Sequence, residues 1–346
     1  MAVVQFDRAT KDFIVTDSRG ESQRFEYKPE LRDCWTNTDD FELHILQHHE
    51  PRKESDISCV YLDDDAENSV GWIFPLSIID TDTIEPKGKL LDYVFITFQK
   101  ILEEMDSVAE KYEVSDVLTV YNEDAIALIL NRRHLSPIFN IERYRYSLYE
   151  NGFSIGERVP VRIPYYQYNQ ASHIQLISSE CDSADLPNSA YVDEIIKHDL
   201  LETSNPIHRF LILYQIIEIL MDNMAESAVL EGIDAYNKGS LGKKDLMIII
   251  DNATKESENI QSIFNGLSVH PYLNKAYIEA VKALYKKVEY MDKHTDLASC
   301  VYSLRNQLFH SYRRYVGEKE LLYATIQSFE KIILNLLIHY QKKVEE

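Results

Sequence analysis

"SLRNQLFHSYRRY", Ser303–Tyr315, sets three arginines, an asparagine, a histidine and two tyrosines within thirteen residues of a strongly acidic chain. Wound as an α-helix at about 100° per residue, Leu297, Val301, Leu304 and Leu308 fall into one narrow apolar stripe. Arg305, Phe309, Tyr302, Arg313, Asn306 and His310 fill a continuous arc away from that stripe, with Tyr312 beside Arg305. Asn306 and His310, four apart, share a face. The pattern predicts a helix fixed by its leucines and presenting a polar face, provided that the helix runs unbroken to about Tyr315.

The sequence around this stretch is helical throughout. "SAYVDEIIKHDLLE" (189–202) has a helical pattern, and "TSNP" (203–206) supplies the break and the start signals of the next helix. Further helical segments are predicted at about 206–235, 243–257, 273–292, 294–315 and 318–343, separated by "NKGSLGKK" and "NGLSVHPYLN". The first carries a dense stripe of Phe210, Leu213, Tyr214, Ile217, Leu220, Met221 and Met224. "GSLGKKD" (239–245) fails the phosphate-loop spacing and has no strand before it, so it reads as a turn between helices.

The preceding residues are mixed. "DISCVYL" (56–62) and "VGWIF" (70–74) have strand character. "RYRYSLYENGFSI" (143–155) alternates and then carries Asn-Gly, which predicts a hairpin. Pro160 in "RVPVRI" (158–163) suits an edge strand. A long helix is predicted over 90–112 and a shorter one after Asn122, reading "EDAIALILNRR". The expected architecture is an α+β N-terminal domain, residues 1–188, followed by an all-α helical-bundle C-terminal domain, residues 189–346.

Charge follows the same division. The chain of 346 residues carries 57 acidic against 36 basic side chains, a formal charge of −21. Residues 201–346 hold 17 bases and 19 acids, so −2; the remainder, 19 and 38, leaves −19 on residues 1–200. An acidic half repels bulk nucleic acid, whereas the near-neutral half has room for a local basic pocket. The four cysteines, Cys34, Cys59, Cys181 and Cys300, form no metal-binding spacing and suit a reducing, cytoplasmic setting. No apolar run reaches the roughly 18 residues that span a bilayer, and the N-terminus has no signal-peptide pattern, so no membrane partner is expected.

Arg305-Asn306-x-x-x-His310-x-Tyr312 resembles the R-x4-H motif of HEPN (higher eukaryotes and prokaryotes nucleotide-binding) ribonucleases, in its extended R-x4-H-x-Y form. With 11 His and 23 Tyr in the chain, chance matches to that form come to about 0.03 per chain. The likeness covers about residues 190–346, where a late helix carries the motif and one long helix follows. It implies a metal-independent endoribonuclease of toxin or antiphage-defence type, with no cofactor. It also implies a homodimer whose two copies complete a composite site.

The residues suit that chemistry. Intramolecular attack by a ribose 2′-hydroxyl needs an acid/base near neutral pH, supplied by His310. It needs a fixed cation for the charge developing on phosphorus, supplied by Arg305, with Asn306 as orienter. Arg313 and Arg314 are candidates for flanking phosphates, and Tyr302, Phe309 and Tyr315 for stacking the bases of a single-stranded RNA loop or for core packing. The resemblance also makes Tyr312 a candidate for regulatory adenylylation by a partner nucleotidyltransferase. The acidic N-terminal half fits a sensor that covers the site or recruits a regulatory partner protein.

Other clusters read more plainly. "HILQHHE" places His44 and His48 four apart, a possible metal pair on a helix, but solvated or core histidines are favoured. Asp80-x-Asp82 resembles a metal-binding spacing, but strand-end turns explain such acids better. A rival reading makes the C-terminal helices a non-catalytic dimerisation module, with ligand or protein binding in the N-terminal half.

Overall fold

The computed structural model describes residues 2–26, 37–50, 56–63, 65, 67–80, 89–104, 114–121, 124–156, 158–168, 171–179, 186, 189–266, 269–291 and 294–340. Its packing divides the chain into two units, Met1–Pro160 with Tyr168–Ser178, and Val161–Gln167 with Ser179–Glu346. A sheet-rich part followed by a helical part is the expected fold class. The expected boundary at 188/189 falls inside the second unit, because a strap upstream of it is tied to the helices. The Val161 amide donates to Leu201 O at 2.7 Å, and the Tyr166 hydroxyl to Glu330 at 3.2 Å.

The first unit opens with an antiparallel meander, β1 (Val3–Asp7), β2 (Asp12–Thr16) and β3 (Ser22–Glu26). Six more strands form a second sheet: β4 (Phe41–His48), β5 (Ser58–Leu62), β6 (Gly71–Pro75), β7 (Ala125–Asn131), β8 (Phe153–Ile155) and β9 (His173–Leu176). Their order is β8-β4-β7-β6-β5-β9, antiparallel except where β9 joins β5. Helix α1 (Leu90–Glu103) and the meander cover one face. Phe13, Phe25, Phe95 and Phe98 pack there with Ala125, Ala127 and Ile129 of β7. The other face buries Ile126, Leu128 and Leu130 against Ile141, Tyr144 and Leu148.

That double burial corrects the predicted helix after Asn122. β7 is apolar on both sides because both sides are core, and a short run of this kind carries no period that separates strand from helix. Hydrogen bonding to β4 and β6 decides it. Asn122 itself, and the 105–112 end of the predicted long helix, lie outside the described residues. A short helix, α2 (Val114–Leu118), follows.

The hairpin predicted over 143–155 is also corrected. Arg145–Glu150 form a helix, α3, and only Phe153–Ile155 form a strand, paired with β4. Every side chain from Arg145 to Tyr149 is buried, so burial carries no period there, and backbone bonding such as Asn151 N to Ser147 O at 3.2 Å decides for helix. Gly152 makes the reversal at φ +85°, and a Cβ there would meet the Tyr168 ring at 2.9 Å. The edge strand expected around Pro160 is absent: Arg158–Ile163 has no regular structure.

The second unit begins with α4 (Ala190–Glu194), a π-helical turn at Ile195–Asp199 and α5 (Leu200–Glu202). Helix α6 (Pro206–Asn237) starts on the Asn205 cap with Pro206 in its first turn. Its predicted stripe is buried from Phe210 to Met221, while Met224 is exposed. Beyond Met221 it pairs with α7 (Lys243–Ala253), where Leu246 and Ile249 close on Gly232. Gly239–Gly242 form the turn between them, as expected. The single helix predicted over 243–257 is two: α8 (Glu256–Gly266) starts after a break at Thr254–Lys255. Helices α9 (Pro271–Lys287), α10 (Leu297–Ser311) and α11 (Lys319–Ile338) complete the bundle.

Helix α11 is long and apolar enough to cross a membrane by length and composition, but 67% of its most apolar window is buried inside the protein. It is the core helix of the bundle. Arg209 of α6, fully buried, pairs with Glu330 of α11 at 2.6 Å and with Tyr166 of the strap at 3.2 Å. Its remaining donors satisfy the carbonyls of Leu200 and Thr203.

Candidate active site on the tenth helix

Helix α10 forms as its stripe predicts. Asp296 caps it, accepting the Ser299 amide at 2.9 Å, and Leu297, Val301, Leu304 and Leu308 are buried. Ser303 joins the core side through the Tyr285 hydroxyl at 3.0 Å. This anchoring fixes the rotation of the helix, and so where Arg305, Asn306 and His310 emerge. Arg305 and Asn306 are half-buried, and His310 is exposed.

The α-helix ends at Ser311, four residues short of the predicted end. Tyr312–Arg314 form a 3₁₀ turn, after Ser311 has left helical geometry at φ −137° and ψ 20°. The projection therefore holds for Arg305, Asn306, Phe309 and His310, but not for Arg313, which the turn carries out of helical register. Arg313, Arg314 and Tyr312 are exposed on that turn, next in the chain to exposed Phe309 and His310. Tyr302 is half-buried. Tyr315 is fully buried, with its hydroxyl toward Gln307, so its ring is core and no stacking surface for a base.

Arg305 is the best-defined element of the site. Its Nη1 donates to Asn306 Oδ1 at 3.0 Å, and its Nε lies 3.6 Å from Glu256 Oε1, too long for a hydrogen bond. Nε is buried and has no hydrogen-bond partner among the described residues. The Phe309 ring covers the guanidinium carbon at 4.8 Å, and Tyr214 lies at 5.9 Å. Asn306 thus orients the arginine through its carbonyl, rather than the His310 ring.

Glu256, in the first turn of α8, also accepts the Tyr214 hydroxyl at 2.8 Å. An acid suits that place, where the helix dipole is positive. Burial and this bond push the Tyr214 phenol well above its ordinary range, so it stays a donor. One turn along α6, burial raises the Glu218 carboxyl, with Glu256 and Asp222 adding to the rise and Arg305 opposing it. The sequence reading missed these carboxylates. Tyr214, Glu218 and Asp222 repeat at i, i+4 and i+8 on α6, but Tyr214 had the look of pure core, and Glu256 was hidden inside a helix predicted to run to 257. Instead of a basic pocket, the structure sets one arginine among carboxylates, with two more arginines on the turn beyond.

The other clusters are structural. His44 and His48 lie on strand β4, not on a helix; His44 bonds Glu42 at 2.8 Å, and burial lowers its imidazolium pKa. His48 and His49 are buried, the latter bonding Tyr168 at 3.0 Å. Among the described residues, no three His, Cys, Asp or Glu side chains are grouped to hold a metal ion. Asp80 ends a 3₁₀ turn, and Asp82 lies outside the described residues, as do Cys34 and Cys181; Cys59 and Cys300 are buried.

No protein-family model matches this chain, and neither a curated protein nor a solved structure gives a significant match.

Proposed function

We propose that this chain is a metal-independent endoribonuclease of HEPN type, cytoplasmic, serving as a toxin or antiphage-defence effector on single-stranded RNA loops. The observation that carries the proposal is helix α10. Its leucines are buried while Arg305, Asn306 and His310 project along one side, the arginine already oriented by asparagine and the histidine open to solvent. Exposed Phe309, Tyr312, Arg313 and Arg314 continue that surface with the stacking and cationic groups that RNA requires.

In the proposed reaction the ribose 2′-oxygen bonds to the adjacent phosphorus and the P–O5′ bond breaks. The products are a 2′,3′-cyclic phosphate and a 5′-hydroxyl. One histidine takes the 2′-hydroxyl proton and another protonates the leaving O5′, while Arg305 neutralises the charge on the phosphoryl oxygens. One α10 supplies one histidine, so two copies related by a twofold axis are required. Tyr312, exposed next to the site, is open to a modifying partner.

The test uses full-length protein and single-stranded RNA in EDTA, with wild type beside Arg305→Ala and His310→Ala, helicity being checked by circular dichroism. Wild type should leave cyclic-phosphate ends, and each variant should lose on the order of a hundredfold or more in rate. Cleavage surviving in both variants, or none by wild type, refutes the assignment. The second reading, a non-catalytic helical dimerisation module, is favoured by one observation: Arg305 already has an anionic neighbour within the chain. It predicts that Arg305→Ala weakens the fold and changes nothing on RNA.

A further inference from the structure

We infer that Glu256, held by the Tyr214 hydroxyl, is a displaceable internal anion that occupies the phosphate edge of Arg305. This rests on the reading of Arg305 as a phosphodiester clamp, and it adds positioning residues that the motif does not contain.

Geometry carries the inference. A guanidinium clamps phosphate with two parallel N–H donors. One edge of Arg305 is committed by Nη1 to Asn306. The other edge contains Nε, and Glu256 Oε1 stands before it at 3.6 Å, close enough to neutralise charge and too far to bond. Nε is a buried donor without an acceptor among the described residues. Such a donor favours any anion that reaches hydrogen-bonding distance, and a phosphoryl oxygen meets that need. Glu256 does not collapse onto Arg305, because Tyr214 holds the same oxygen at 2.8 Å. The two side chains are about a quarter to a third exposed (26% and 31%) while Nε itself is buried behind the carboxylate, so a phosphate reaches that donor as Glu256 swings aside. Exchange is therefore inexpensive: the arginine loses a loose ion pair and gains a bidentate one. Asn306 orients the guanidinium at rest, and the carboxylate opposes phosphate until it is displaced or neutralised.

The probe is a fluorescein-labelled 2′-O-methyl oligoribonucleotide, which presents phosphodiesters but has no 2′-hydroxyl to attack them. Its Kd would be measured by anisotropy at low salt for wild type, Glu256→Gln, Arg305→Ala and the double variant. Glu256→Gln should bind about fivefold tighter, the scale of a partly exposed ion pair. The gain should vanish in the Arg305→Ala background. Asp234→Asn, which removes a charge far along α6, measures the bulk electrostatic part and should change Kd by less than about twofold. Tyr214→Phe releases the carboxylate to close onto Nε, and is the second variant should Glu256→Gln fold poorly; it should bind more weakly than wild type, again only with Arg305 present.

Equal or weaker binding by Glu256→Gln overturns the inference, as does a gain that persists without Arg305, or an absence of binding by every protein. Arg305-dependent binding with no cleavage of unmodified RNA overturns the ribonuclease reading and leaves this inference standing.

Discussion

Replacing Arg209 by methionine tests the heart of the C-terminal bundle. The Arg209 side chain is fully buried and reaches Glu330 at 2.6 Å, Thr203 O at 2.8 Å, the Tyr166 hydroxyl at 3.2 Å and the Leu200 carbonyl. Glu330 is only 3% exposed, and Tyr166 is its other hydrogen-bond partner, at 3.2 Å. Methionine keeps an apolar stem of similar length and removes every donor. The carboxylate then stays buried without its cation, a change that costs about 3–5 kcal/mol. Against the ~5–15 kcal/mol that holds a typical domain folded, that is about a fifth or more. Changing Glu330→Leu as well removes the second charge and its desolvation, so the double variant should lose only about 2 kcal/mol, from carbonyls left without donors. The assay is urea unfolding followed at 222 nm. Helices dominate the second unit, whereas both tryptophans, Trp35 and Trp72, lie within residues 1–160 and report the first unit by fluorescence. The 222-nm midpoint should fall sharply while the fluorescence midpoint moves far less. Arg209→Met within about 1 kcal/mol of wild type, or a double variant whose loss is the sum of the singles, would refute the buried pair.

Gly152→Ala forces a Cβ onto a φ of +85° and into the Tyr168 ring at 2.9 Å; a loss of about 2 kcal/mol or more is expected in the fluorescence-detected transition, and an unchanged midpoint would contradict the turn. Leu304→Ala, on the buried side of α10, should cost about 2–5 kcal/mol and abolish the polar arc with it, read as lost helicity on mild warming. Glu218 has a raised carboxyl pKa: the folded state holds its proton more tightly than the unfolded one, so its contribution is fullest below the unfolded value and is lost as pH climbs through the folded one. Glu218→Gln should therefore gain Tm relative to wild type, more at about pH 7 than at about pH 4, and by a small amount because Glu218 is exposed; a gap that narrows with rising pH would reverse the assignment.

By itself the sequence determined the parts governed by local period. The spacing of Leu297, Val301, Leu304 and Leu308 specified the buried side of α10, and the same spacing set Arg305, Asn306 and His310 on the other. Asn205-Pro206 specified the start of α6 for an equally local reason, a side-chain oxygen over open amides. Tertiary structure decided what local pattern leaves degenerate. Ala125–Leu130 is strand only because α1 and the meander bury one face while Tyr144 and Leu148 bury the other. Arg145–Glu150 is helix although every side chain from Arg145 to Tyr149 is buried, so there too no period separates helix from strand. The surroundings of Arg305 belong to the same class. Glu256 and Tyr214 stand 49 and 91 residues before it in the chain, and no spacing rule links them. They meet because α6, α8 and α10 bury their apolar faces together. The motif supplied the arginine, and packing supplied the carboxylate that stands before its other edge.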